Sequence, residues 1–331
     1  ALVLLRPFAS STPSGIYRRD LHERDLKTAP RAEIGLCRQG DAGFVVSRRV
    51  SLPVLRPGQS LCLLFAPHGG SSEAALDTLK EAAHRELLFP MVYKADDRMT
   101  AIAKMRGWRA LHVADDLALK PSEFITQGRA FRQLRRKLRQ AGQSGIVIER
   151  GAALPWKDLA RIDAAWQTRR GAARGMTMGR FCPNYLSHQA VFLARQQGRT
   201  VAFASFHVST QEWCLDLMRA TPDAPDGTMH ALITAAIDAA KAADVPRFSL
   251  AALPPERGPI AWCAAKFGHG TGLSQFKMSF NPRRVPRYAL APNWTSLVLG
   301  LADLWLSIRR PNRNLAHNHH ENNEFARARG V

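Results

Sequence analysis

Asp216 and Arg219 stand three residues apart in a mainly apolar run, Trp213-Cys-Leu-Asp216-Leu-Met-Arg219. A carboxylate there could hold a cationic amino group or assist removal of a hydroxyl proton, and a guanidinium could stabilise an oxyanion or bind a phosphate. Lys277, in the pair Phe276-Lys277, offers a second cation for the same work. Strand alternation puts positions three apart on opposite faces. For Asp216 and Arg219 to enter one site, the strand must bulge or end near Met218. The bland alternative is a structural ion pair, Asp216 with Arg219 or with Lys277, since such networks also hold charges in ordinary cores.

The elements that would position these groups follow from periodicity. After Arg219 comes a stiff turn, Pro222-Asp-Ala-Pro225-Asp226-Gly227, and then an apolar helical pattern over 228–243. Upstream, 33–37, 43–47 and 60–65 read as short strands, 73–87 as a helix capped by Ser71 or Ser72, 91–94 as a strand, 99–106 as a helix and 108–113 as a strand. A strongly basic helix is expected over 124–142. A second cycle begins near Gly145: strand 146–149, helix 156–169, a Gly/Arg/Met loop over 170–180, helix 183–189, and strands 191–195, 200–208 and 213–219. The last two form a hairpin through 209–212. Helix 228–243, strand 247–251, helix 259–267 and strand 274–280 complete it. This alternation predicts an α/β fold with mixed sheets.

The order Asp216-Leu-Met-Arg219, the turn to Met229, and Arg247-Phe248-Ser-Leu250 with Pro254 resembles the C-terminal cytosolic domain of the phosphatidylglycerol lysyltransferases, the multiple peptide resistance factor family. Met178-Gly-Arg180-Phe181 with Tyr185-Leu186, the strand 201–204, and Phe276-Lys277 with Phe280, Pro282 and Arg287-Tyr288 extend the resemblance over about the second half of the chain. It implies a tandem GNAT-like fold and transfer of an aminoacyl group from aminoacyl-tRNA to a lipid hydroxyl, with Asp216, Arg219 and Lys277 in or near the catalytic site. No metal and no cofactor beyond the aminoacyl-tRNA co-substrate are implied. The implied place is the cytoplasmic face of the bacterial inner membrane. One stretch departs from the family: Phe267-Gly-His269-Gly-Thr-Gly-Leu273-Ser-Gln275 is shorter and lacks the family's Glu, Tyr and Arg. That bears on amino-acid specificity. It keeps open an acyl thioester from coenzyme A or a carrier protein as donor, and a non-catalytic RNA- or membrane-binding module.

The turn itself argues about the donor. GNAT enzymes bind a pyrophosphate with backbone N–H groups at this turn and the helix start that follows. Here two prolines remove donors, and Asp223 and Asp226 place negative charge in the same spot, which disfavours acyl-CoA. Asp226 is also a candidate N-cap for helix 228–243.

The chain carries a formal charge of +20, which favours polyanionic partners such as RNA or an anionic membrane. Arg129, Arg132, Arg136 and Arg139 fall on one stripe of the basic helix and Phe131, Leu134 and Leu138 on another, so one face packs and the other offers cations to tRNA phosphates or lipid headgroups. A merely solvated face is the alternative. Over 293–311, Trp294, Leu297, Val298, Leu301, Leu304, Trp305 and Ile308 form a helical stripe, with Arg309 and Arg310 after it. The helix is too short to span a bilayer and suits either an interfacial anchor, with Trp294, Leu301 and Trp305 as contacts, or docking on the domain's own core. Five scattered cysteines without CxxC spacing read as buried apolar groups in a reducing compartment. The organisation expected is 1–31 as a linker or the end of an upstream segment, 32–122 and 145–292 as two GNAT-like modules, 123–144 as a basic connecting helix, 293–311 as an amphipathic helix, and 312–331 as a disordered tail whose His317, His319 and His320 are not a metal site.

Overall fold

The computed structural model describes residues 17–18, 23–48, 50–171, 175–266 and 271–309. Its frame is one mixed sheet of strands β1 (Tyr17–Arg18), β2 (Ala42–Val46), β3 (Ser51–Leu55), β4 (Ser60–Leu64), β5 (Phe89–Ala95), β6 (Arg109–Leu119), β7 (Ile146–Arg150), β8 (Ala190–Gln196), β9 (Arg199–Val208), β10 (Glu212–Ala220), β11 (Arg247–Leu253) and β12 (Arg283–Ala291). Their order is β1-β2-β3-β4-β5-β12-β6-β11-β10-β9-β8-β7. The α/β class expected from the sequence is the one found. The last strand lies between β5 and β6, so the C-terminal half reaches into the sheet of the N-terminal half.

Among the described residues ten α-helices accompany the sheet: α1 (Glu23–Thr28), α2 (Ser72–Arg85), α3 (Asp97–Met105), α4 (Arg132–Gln143), α5 (Trp156–Arg170), α6 (Pro183–Leu186), α7 (Thr228–Ala242), α8 (Pro259–Lys266), α9 (Thr271–Met278) and α10 (Trp294–Arg309). Helices α2, α3, α4 and α7 cover one face, where Leu76, Leu79 and Met99 meet Leu61 and Val92, and Leu134, Leu232 and Ile237 meet Phe206 and Trp213. A 3₁₀ helix, Ala32–Gln39, covers the other face together with α5, α6 and α10. Ser71 starts α2 by accepting the Ala74 N–H at 3.2 Å, and Asp96 starts α3 by accepting that of Met99 at 2.8 Å.

Four expectations are corrected. Residues 33–37 are not a strand but part of the 3₁₀ helix; Ala32 to Cys37 are buried on every side, so no alternation of exposure exists there. Residues 274–280 are not a strand either, because Phe276 and Phe280 sit one helical turn apart and both pack on His230, at ring distances of 4.7 and 5.8 Å. The basic helix begins at Arg132 rather than 124; Arg129 lies in a preceding 3₁₀ turn, and Arg135 reaches back to the carbonyls of Thr126 and Gly128. Helix α6 ends at Leu186. Strand β12 carries Pro286, yet it is central: Pro286 pairs with Asp115 of β6, while pairing to β5 begins only at Tyr288, beyond a bulge. The expected tail over 312–331, its histidines, and the stretch 267–270 lie outside the described residues.

Helix α10 settles its two faces separately. Leu297 and Leu304 are buried, Gly300 lies against Met91, and the buried Asp303 accepts the Gln59 N–H at 3.0 Å and the Ser60 hydroxyl at 2.9 Å. Leu301, expected as a membrane contact, packs on these core clusters instead. Trp294 and Trp305 are exposed.

Candidate functional site

A band of charged side chains crosses the face of the sheet beneath the 3₁₀ helix. It draws Lys94 from β5, Arg287 from β12, Asp116 from β6, Arg247 and Ser249 from β11, Glu212 from β10 and His207 from β9, six adjacent strands. Arg31 and Glu33 close over it. Asp116 is fully buried and accepts from Arg31 at 2.8 Å, the Ser249 hydroxyl at 2.6 Å, Arg287 at 3.4 Å and Arg247. Burial works against its charge, but Arg31 and Arg247 outweigh that and hold its carboxyl far below the usual range. Glu212 takes the Ala32 N–H at 2.8 Å, Arg31 and Arg247; Glu33 takes Arg31 and Lys94. Sequence reasoning missed this network. Its signal is Asp115-Asp116 inside the apolar strand 113–119, since paired carboxylates in such a setting need buried cations.

Lys277 enters the band from α9. It is buried, and its Nζ donates to the Ala252 carbonyl at 3.4 Å, with no carboxylate of the described residues in ion-pair distance. Burial pulls its ammonium down to about 8. The backbone is bent nearby: Lys94 and Ala251 adopt φ of 63° and 60°, left-handed values that cost non-glycine residues of order 1 kcal/mol each. Three carboxylates, Glu33, Asp116 and Glu212, thus face the cations of Arg31, Lys94, Arg247, Arg287 and Lys277. This positive surplus is suited to a developing oxyanion or a phosphate.

The pairing of β10 with β9 slips between Leu215 and Met218, the bulge that the spacing of Asp216 and Arg219 demands. Their partners differ. Asp216 accepts from Gln189 at 2.8 Å, with His207 Nε2 3.6 Å away and the Tyr185 hydroxyl 3.1 Å from that nitrogen. Burial opposes its charge, but His207, Gln189 and Tyr185 together hold the Asp216 carboxyl below its ordinary value. A carboxylate held charged in this way is a fixed negative charge and a poor base. Gly179 lies against it so tightly that a Cβ would collide with the carboxylate, which is why Met178-Gly-Arg180 needs its glycine. Arg219 is buried, donates to Asp163 at 2.6 Å and stacks 3.8 Å from the centre of the Trp166 ring. Neither the Asp216–Arg219 nor the Asp216–Lys277 ion pair forms.

On the opposite face, α4 packs across the start of α7. The N-cap of α7 is Gly227 at φ 89°, and Asp226 pairs with Lys137 rather than capping. A Cβ at Gly227 would run into the Lys137 carbonyl. The backbone of α4 therefore lies directly against the turn that starts α7. Gly227→Ala combines that collision with a left-handed backbone, and a loss of ~2–4 kcal/mol in denaturant unfolding is the expected result; a change under ~0.5 kcal/mol would contradict this packing. Outward from α4, Arg129, Arg132, Arg136 and Arg139 are exposed, and among the described residues none pairs with an acid.

Among the described residues no three His, Cys, Asp or Glu side chains are grouped to hold a metal ion, and no helix is long and apolar enough to cross a membrane. The family model for phosphatidylglycerol lysyltransferase, C-terminal, matches residues 35–291. The chain belongs to this family. Phosphatidylglycerol lysyltransferases are transferases acting on a lipid, so the charged band is to be understood as part of a transferase. Among solved structures, a C-terminal domain assigned to lysylphosphatidylglycerol synthetase from Agrobacterium fabrum superposes with a TM-score of 0.77 at 24% identity, covering 86% of this chain and 94% of that one. L-PGS from Bacillus licheniformis superposes at 0.75 and 20%, covering 87% and 95%. These likenesses carry the fold of the lysyltransferase domain. No curated protein matches the sequence significantly.

Proposed function

We propose that this domain transfers an aminoacyl group from an aminoacyl-tRNA to a hydroxyl of phosphatidylglycerol. The observation that carries the donor is the position of α4. One helix sets its Lys137 carbonyl against Gly227 at the turn before α7, where a pyrophosphate would need free backbone N–H groups, and turns outward a stripe of arginines with no acid partner among the described residues, which suits a polyanion and disfavours acyl-CoA. The lipid acceptor comes with the family.

In this reading the lipid hydroxyl attacks the ester carbonyl, its proton passes to the departing ribose oxygen by way of solvent or the substrates, and the C–O bond to the ribose breaks. Lys277, charged below about 8, stabilises the oxyanion that forms between these steps. Asp216 stays ionised and holds the donor's α-ammonium. Arg219, committed to Asp163 and Trp166, fixes the end of β10 and α5 rather than reaching for the donor.

Reversing Arg132, Arg136 and Arg139 to glutamate tests the donor. With a labelled aminoacyl-tRNA and phosphatidylglycerol vesicles, the variant is expected to raise KM for the tRNA ~10²-fold or more and to flatten its salt dependence. Unchanged KM and salt slope would remove tRNA from this face.

A further inference from the structure

The exposed side of α10 has no role in the chemistry above. Trp294, Val298 and Trp305 are 54%, 62% and 43% exposed and lie on one stripe of the helix, opposite the side anchored through Leu297, Asp303 and Leu304. Arg309 continues the stripe, its guanidinium 4.2 Å from the centre of the Trp305 ring. Helix α8 lies alongside, since Ile260 shares a core cluster with Leu297 and Leu301, and it adds Trp262 at 64% exposure. The one acid of α10, Asp303, is buried against β4, and α8 has none. Two adjoining helices thus present exposed tryptophans without an exposed carboxylate on either. Tryptophan suits the headgroup level of a bilayer, and arginine beside it suits anionic lipid.

The same helix is tied to the site. The Gly175 N–H donates to the Ile308 carbonyl at 3.2 Å, and the segment from Gly175 continues to Gly179, which sits on Asp216. On the way it is latched to the 3₁₀ helix and the loop after it, through Arg180 to Asp41 at 2.8 Å and Gln39 to the Met178 carbonyl at 3.1 Å. The exposed stripe, this strap and the charged band all belong to one face of the sheet.

We propose that the outer stripe of α10, with Trp262 of α8, is the surface on which this domain rests against an anionic lipid bilayer, which places the sheet face carrying the charged band toward the lipid. The proposal rests on the lipid-transferase reading, but its test does not depend on turnover. Wild type and a Trp294→Ser/Val298→Ser/Trp305→Ser variant are sedimented with vesicles of phosphatidylcholine alone and of phosphatidylcholine with phosphatidylglycerol. Wild type is expected to partition into the anionic vesicles, and the variant ~10-fold or more less. Equal partitioning of the two proteins, or no binding of wild type, would overturn it. So would a stripe that governs self-association in size-exclusion chromatography but not vesicle binding, which would make it a contact between copies. Should the triple variant fail to fold, quenching of wild-type tryptophan emission by brominated phosphatidylglycerol is expected in its place, and its absence overturns the proposal. A failure here leaves aminoacyl transfer standing.

Discussion

Lys277→Met is expected to abolish transfer while making the protein harder to unfold. The Lys277 ammonium is buried with one long hydrogen bond, to Ala252, and its folded value of about 8 lies well below that of a free lysine. That difference is an unfavourable contribution of about 3 kcal/mol wherever both states are protonated, which is below pH 8. Between pH 8 and roughly 10.4 the folded protein has released this proton and the unfolded chain has not, so the penalty fades as pH rises. Methionine keeps much of the volume and removes the charge. Denaturant unfolding at pH 7 should show the variant more stable by ~1–3 kcal/mol, with the gain shrinking toward pH 10. Wild-type kcat/KM should fall as pH rises past about 8, because the charged form is the one used. A destabilised variant that still turns over would make Lys277 a structural cation.

Asp116→Ala should do the reverse and unfold the protein readily. The carboxylate is the shared acceptor for Arg31, Arg247, Arg287 and Ser249. Arg31 keeps Glu33 and Glu212 without it, and Arg247 keeps Glu212, but Arg287 is left buried with no ion-pair partner among the described residues. Breaking a buried charge network in this way costs ~3–5 kcal/mol, read as a fall in denaturant midpoint with unchanged slope. The contribution is fully present above the ordinary aspartate range near pH ~3.9 and is lost progressively below it, because the unfolded chain takes up a proton there that the folded carboxylate still refuses. Asp116 is therefore one of the groups whose protonation drives acid unfolding. A loss below ~1 kcal/mol would mean that water or other groups replace Asp116.

Much of the frame is legible in the sequence because it rests on local periodicity. Helices α2, α5 and α7 and strands β8 to β10 have regular apolar spacing and clear boundaries, and the Asp216–Arg219 spacing announces its own bulge. Two elements beside the site are read wrongly, each for a physical reason. The 3₁₀ helix is buried all round and has no exposed side to set a period, and α9 is too short, ending before Phe280, for helical spacing to outweigh a strand-like reading. The charged band is hidden for another reason. Its members come from six strands spread over the chain, and only the placement of β12 between β5 and β6 brings Lys94, Arg287 and Asp116 together. A lone Arg287 or Asp116 looks like surface charge until its strand is known to be central. The glycines at 179 and 227 carry a comparable message, since each is needed by a neighbour distant in sequence.

In the proposed reaction an aminoacyl ester is delivered to a lipid hydroxyl at a buried, surplus-positive site. Its most direct test is mass spectrometry of lipids extracted from cells expressing the wild-type protein or Lys277→Met. Phosphatidylglycerol carrying the added mass of an amino acid is expected with the wild type, identifying that amino acid, and none with the variant. Unchanged phosphatidylglycerol together with a new acyl amide would contradict it and move the donor to a thioester.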